Sequence, residues 1–106
     1  MSRLPTGVVV SAMLRRVNDA GGFGAVLAKG DAQAGAVLVV AVEGGVSRLL
    51  ERGIGADGRP GLIDSTPADD LDAYWRRRRQ RDPDLWVVEL DIVDSPRFAA
   101  ESLGID

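Results

Sequence analysis

The sequence predicts a small α+β domain: a mainly antiparallel sheet of about four strands with helices on one face, in the order α-β-β-β-α-β-α. Three observations carry that prediction. Apolar residues recur at helical spacing near the N-terminus, Ala36–Val42 form an unbroken apolar run, and Trp86–Ile92 alternate apolar with acidic toward their far end. Composition agrees, since 106 residues that are 45% apolar and 27% charged suit a single domain over 1–106 whose core needs no metal or disulfide.

Val10, Met13, Leu14 and Val17 stand at i, i+3, i+4 and i+7, which predicts an amphipathic helix with Thr6 as its N-cap and an end near Gly21-Gly22. A strand over Val8-Val9-Val10 is the rival, because β-branched residues are poor helix formers. Continuation of the pattern to Val17 favours the helix. Phe23–Lys29 reads as a short strand and 30–35 as a turn-rich connector. The apolar run Ala36–Val42 predicts a strand covered on both faces. Glu43-Gly44-Gly45-Val46 predicts a tight hairpin into a third strand, Val46–Arg52, although Val46, Leu49 and Leu50 suit one helical turn as well.

Gly53–Gly61, with four glycines and a proline, reads as a mobile loop. Within it Gly53-Ile54-Gly55-Ala56-Asp57-Gly58 matches the dinucleotide-binding pattern G-x-G-x-x-G. That pattern works only where the loop opens a long helix, and Arg59-Pro60-Gly61 cannot begin one, so nucleotide binding is rejected. Thr66-Pro67-Ala68-Asp69 predicts the start of a second helix, with Thr66 as N-cap and Pro67 at the first position. Leu71, Tyr74 and Trp75 form its apolar face, and it stops before Asp82-Pro83. Leu85–Val93 predicts a half-buried strand with Trp86, Val88, Leu90 and Ile92 inward as core and Glu89 and Asp91 outward. Ser95-Pro96 opens a short terminal helix carrying Phe98 and Leu103.

The chain has no cysteine and no histidine, which removes disulfides, zinc-finger sites, thiol nucleophiles, Ser-His-Asp triads and imidazole bases. Asp82 and Asp84 with Asp69, Asp70 and Asp72 lack the alternating oxygen ligands, central glycine and terminal glutamate of a calcium loop. Lys29, the only lysine, precedes a Gly-Asp turn with no apolar pocket to depress its pKa. No catalytic, cofactor-binding or metal-ligating residue is therefore expected, and no enzyme activity. No segment approaches the ~20 apolar residues that span a bilayer. The apolar stretch 7–14 is closed by Arg15-Arg16 on the wrong side for a secretory signal, so a cytoplasmic protein off the membrane is expected.

A formal charge of −3 conceals one strong feature. Residues 76–81 read Arg-Arg-Arg-Arg-Gln-Arg, while Asp69, Asp70, Asp72, Asp82 and Asp84 flank them, so that 69–84 is neutral. On a helix Arg78 shares the apolar face and Arg76, Arg77 and Arg79 point elsewhere. Tyr74 with Arg78 and Trp75 with Arg79 stand at i,i+4 for cation–π stacking, and Asp72 with Arg76 for an ion pair. Two readings stay open: a solvated helix end neutralised by its own aspartates, or an anion-binding surface of Arg76, Arg77, Arg79 and Arg81. The order α-β-β-β-α is similar to that of the double-stranded-RNA-binding domain, but here the arginines fall late in the helix, behind an acidic first turn.

Several segments together resemble a family of small alphaproteobacterial proteins known only as a domain of unknown function. They are Val10-Ser11-Ala12-Met13-Leu14-Arg15-Arg16, Lys29-Gly30-Asp31-Ala32-Gln33-Ala34-Gly35-Ala36-Val37-Leu38-Val39, Leu71-Asp72-Ala73-Tyr74, and Arg81-Asp82-Pro83-Asp84-Leu85-Trp86-Val87-Val88-Glu89. They follow one another in order between positions 10 and 89. Where family members often carry an aromatic residue near position 8, and an aromatic-containing segment after Asp57-Gly58, this chain has Val8 and Leu62-Ile63-Asp64. The resemblance implies no activity, cofactor or site residue. The expectation is a small interaction module that binds a protein partner or itself through a sheet edge or apolar patch, with Leu85–Val93 as the self-association strand. RNA or polyanion binding is the alternative.

Overall fold

The computed structural model describes Leu4–Ile105. Helix α1 (Thr6–Asp19) is followed by strands β1 (Phe23–Ala28), β2 (Val37–Glu43), β3 (Val46–Ile54) and β4 (Pro60–Asp64). Helix α2 (Leu71–Arg81), strand β5 (Trp86–Asp91) and helix α3 (Ser95–Ser102) complete the chain. One five-stranded sheet has the order β1-β5-β2-β3-β4. Its pairings are antiparallel except for β2 with β5, which run parallel.

The α+β class and the mainly antiparallel sheet stand, with two corrections. The first is a fifth strand. The glycine-rich segment read as a mobile loop is a hairpin: β3 runs on to Ile54, Gly55 and Gly58 make the turn, and Pro60–Asp64 return as β4. Gly53 is not punctuation there, because a Cβ would lie within 2.5 Å of the Ile63 side chain on the facing strand. The G-x-G-x-x-G match thus sits in a strand-to-strand turn. Val46–Arg52 is strand, and Gly44 and Gly45 both take positive φ (59° and 80°), as a two-residue hairpin turn requires.

The second correction concerns the helices, which cover both faces of the sheet. Val10, Met13 and Val17 of α1 and Ala99 of α3 pack with Val37, Val39, Ala41, Leu50, Trp86, Val88 and Leu90. Trp75 of α2 packs on the other side with Leu38, Val40, Leu49, Leu85 and Val87. Alternate residues of β2 therefore feed two cores, which is why Val37–Ala41 is buried without interruption. For the same reason β5 is not half-buried: Val87 lies fully buried under α2, opposite in sense to Trp86 and Val88.

Two helix starts differ from expectation. Pro5 occupies the N-cap of α1, and Thr6 instead donates its hydroxyl to the Gly35 carbonyl at 2.8 Å. The N-cap of α2 is Asp70, whose carboxylate accepts the Ala73 N–H at 3.0 Å. Thr66 stays outside that helix because its Oγ1 bridges the sheet, accepting from Leu49 N–H at 2.9 Å and donating to Asp64.

The loop between β1 and β2 closes on the start of β5. Asp31 N–H donates to the Asp84 carbonyl at 2.9 Å, Trp86 Nε1 donates to the Asp31 carbonyl at 2.7 Å, and Trp86 N–H donates to Ala36 at 2.8 Å. Gly30 and Gly35 lie against this knot, where a Cβ on either would overlap the Asp84 carbonyl oxygen. The loop carbonyls of Gln33 and Ala32 also accept the first N–H groups of α1, from Thr6 and Gly7.

Gly35→Ala is expected to lower the unfolding free energy by about 1–3 kcal/mol through overpacking. Gly61→Ala, where a Cβ meets open space, should stay within about 0.5 kcal/mol of the parent. Urea denaturation of the three proteins checks this, and equal midpoints for the two variants contradict it.

Candidate functional site

Arg78, on the inward side of α2, is bound to the sheet. Its guanidinium grips Glu51 of β3 through Nη1–Oε2 at 2.6 Å and Nη2–Oε1 at 3.0 Å, a bidentate pair. Ser65 Oγ donates to the same carboxylate, and the Tyr74 ring lies 5.9 Å from the Arg78 carbon. The hydrogen bond from Arg78 holds the Glu51 carboxyl below its ordinary value, against an opposing push from burial. The guanidinium is held above its own range, chiefly by the same bond.

The other four arginines are arranged differently. None of Arg76, Arg77, Arg79 and Arg81 forms an ion pair with a carboxylate among the described residues. Arg76 stacks over Trp75 at 4.9 Å, in place of the expected Trp75–Arg79 pair. Arg79 donates to the Pro83 carbonyl. Three of the five flanking aspartates are engaged by local donors: Asp70 caps α2, Asp82 accepts Asp84 N–H, and Asp72 accepts Trp75 Nε1 at 3.1 Å rather than pairing with Arg76. Neutralisation in sequence is thus not pairing in space. The four arginines lie along the second half of α2, with Arg81 its last residue, and Arg76, Arg77 and Arg81 are exposed.

The sheet edges form the second candidate surface. β5, expected to mediate self-association, lies between β1 and β2 with both its ladders occupied, so it offers no edge. The edges are β4 and β1. β4 is short, begins with Pro60 and ends with Asp64, features that discourage pairing. β1 reads Phe-Gly-Ala-Val-Leu-Ala without a charge, and Phe23, Val26 and Leu27 are 57%, 42% and 39% exposed.

The direction of its polar groups follows from the neighbouring ladder. Trp86 and Ile92 direct their N–H groups to β2, so the odd-numbered residues of β5 face β1. Glu89 and Asp91 then bond Ala25 and Phe23, and Gly24 and Val26 turn outward. Gly24 N–H is accepted by the Asn18 side chain at 3.0 Å, which agrees. A bulge between Val26 and Ala28 limits the regular ladder to Phe23–Val26.

A groove of about 720 Å³ between the N-terminus of α1 and the C-terminus of α3 is lined by Val9, Val37, Arg52 and Leu103, among others. The Arg52 guanidinium donates to the Leu103 carbonyl at 3.0 Å. None of the described helices is long and apolar enough to cross a membrane.

Residues 4–100 match the family model described as Protein of unknown function (DUF1491). The chain belongs to the DUF1491 family. A DUF1491 protein from Caulobacter crescentus CB15, solved by crystallography, is 40% identical with a TM-score of 0.78, over 91% of this chain and 94% of that one. An NMR structure of a DUF1491 protein from the same organism is 42% identical, with a TM-score of 0.75 over 92% and 94%. A solution structure from A. tumefaciens is 31% identical, with a TM-score of 0.68 over 86% and 87%. No curated protein matches the sequence.

The sequence singled out the arginine run and set Arg78 apart, but not its partner Glu51, which lies 27 residues earlier. It missed Val26 as an edge residue and Asn18 of α1 as the acceptor of the Gly24 N–H. The one available signal was the uncharged run Phe23–Ala28.

Glu51→Gln is expected to cost about 1 kcal/mol at neutral pH, the bidentate pair being partly screened by solvent. Glu51 titrates lower in the folded chain than its ordinary 4.5. Its contribution is therefore complete above that value and lost as pH falls through the folded-state value. Unfolding curves from pH 7 to pH 3 should show parent and variant converging in acid; a constant gap contradicts the assignment.

Proposed function

We propose that this chain is a cytoplasmic protein-interaction module without catalytic activity, which docks an extended segment on the free edge of β1. The uncharged, exposed edge at Gly24–Val26 carries this reading. β-Augmentation takes its affinity from main-chain hydrogen bonds and its selectivity from neighbouring side chains, and Phe23, Val26 and Leu27 supply the apolar part. The lack of histidine and cysteine in the whole sequence supports the non-catalytic half of the proposal.

A second reading has its own support. Arg76, Arg77, Arg79 and Arg81 have no carboxylate partner among the described residues, which suits an RNA or polyanion surface. It works against the partial negative charge at a helix C-terminus and the nearby Asp82 and Asp84.

Affinity capture with the parent chain, Val26→Lys, and a variant with all four arginines changed to Gln separates the readings. Edge docking predicts a partner retained by the Gln variant and lost with Val26→Lys. A partner that is indifferent to Val26 and released steeply by salt only from chains with the arginines intact supports the polyanion surface. A partner insensitive to both changes contradicts both.

A further inference from the structure

Resting on the edge-docking reading, we infer that the occupant of the β1 edge is β1 of a second copy, in an antiparallel two-fold pair. A two-fold interface sets every residue against its own surroundings, so a strand that pairs with itself must tolerate its own charges. Phe23–Ala28 carries none. The charge beside its C-terminal end is Lys29, and antiparallel pairing brings it to the N-terminal end of the other copy's strand, flanked by Asp19 and by Asp91 on β5. All three residues are exposed.

The outward polar groups choose the register. Before the bulge only Gly24 and Val26 face out, so the pair that satisfies them sets Gly24 of one copy opposite Val26 of the other, with the two-fold axis at Ala25. Each Val26 N–H then donates to the Gly24 carbonyl of the second copy, and all four groups in those two bonds are free of other strands. The same register brings the exposed Phe23 of each copy to the end of the strand where the exposed Leu27 of the other copy lies. Small Ala25 side chains meet at the axis. Asn18 acts as a competitor, because its side chain holds the Gly24 N–H that the Val26 carbonyl of the second copy would otherwise accept. The pairing joins two five-stranded sheets into one of ten strands and hides the undefended edge of each.

Sedimentation of the full chain across a concentration series tests this against Val26→Pro, Val26→Lys and Asn18→Ala. A reversible dimer is expected for the parent, a dimer with a several-fold lower dissociation constant for Asn18→Ala, and a monomer for both Val26 variants. Val26 N–H is not used by β5, so Val26→Pro should keep the parent's far-UV circular dichroism; Val26→Lys leaves the backbone unaltered should proline unfold the strand. Amide exchange at Val26 should slow as the parent is concentrated. A parent that stays monomeric while still capturing a Val26-dependent partner overturns the second copy and spares edge docking. A monomer whose captured partners ignore Val26 overturns both, and a dimer that survives both Val26 variants overturns the β1 interface.

Discussion

The fold depends on one short knot of hydrogen bonds around Trp86. Its indole donates to the Asp31 carbonyl and its backbone N–H to Ala36, while Asp31 N–H returns to Asp84. These bonds fix the register at which β5 enters the sheet beside β2, the one parallel pairing among the described residues. They also set the 31–35 loop where its carbonyls satisfy the N-terminus of α1. Gly30 and Gly35 are the steric condition, since a side chain on either would occupy the space of the Asp84 carbonyl. Residues 29–39 and 81–89, the two longest stretches that carry the family likeness, are the ones that meet here.

The sheet has two cores, and its helices divide accordingly. α1 and α3 share one face and are tied to each other by Arg16 with Glu101. α2 alone serves the other and is a weakly apolar helix, with Trp75 its one buried residue. Hydrophobic contact alone holds such a helix poorly in rotation. The bidentate Arg78–Glu51 pair supplies the missing constraint, because it fixes which side of α2 meets β3. That fixed rotation is what leaves Arg76 and Arg77 on the solvent side.

Elements set by local chemistry were legible in the sequence. The helical period of α1, the glycine pair between β2 and β3, and the doubly buried run of β2 each state their structure in adjacent residues. β4 was hidden because Gly53 and Gly61 read as loop residues, whereas Gly53 answers to Ile63 across the hairpin. The start of α2 was misplaced because Thr66 is an equally good cap and sheet bridge, and Leu49 on β3 decides between them. Placement of helices on two faces, and of β1 rather than β5 at an edge, depends on strand order, which no local pattern encodes. For the arginine run the composition was plain and the pairing was not: Asp70, Asp72 and Asp82 find closer donors in backbone N–H groups and an indole.

The strand order has a consequence for how the molecule is made. β2, β3 and β4 pair as a continuous meander of neighbours and close as soon as they are synthesised. β1 precedes them all in the chain, yet its ladder partner in the sheet is β5, the last of the five described strands in chain order. On a ribosome the apolar segment 23–28 therefore waits until 86–91 have been made, with neither of its sides paired. Until β5 enters between β1 and β2, the nascent chain presents a sticky ribbon with two open sides, and docking of β5 is the step that retires one of them.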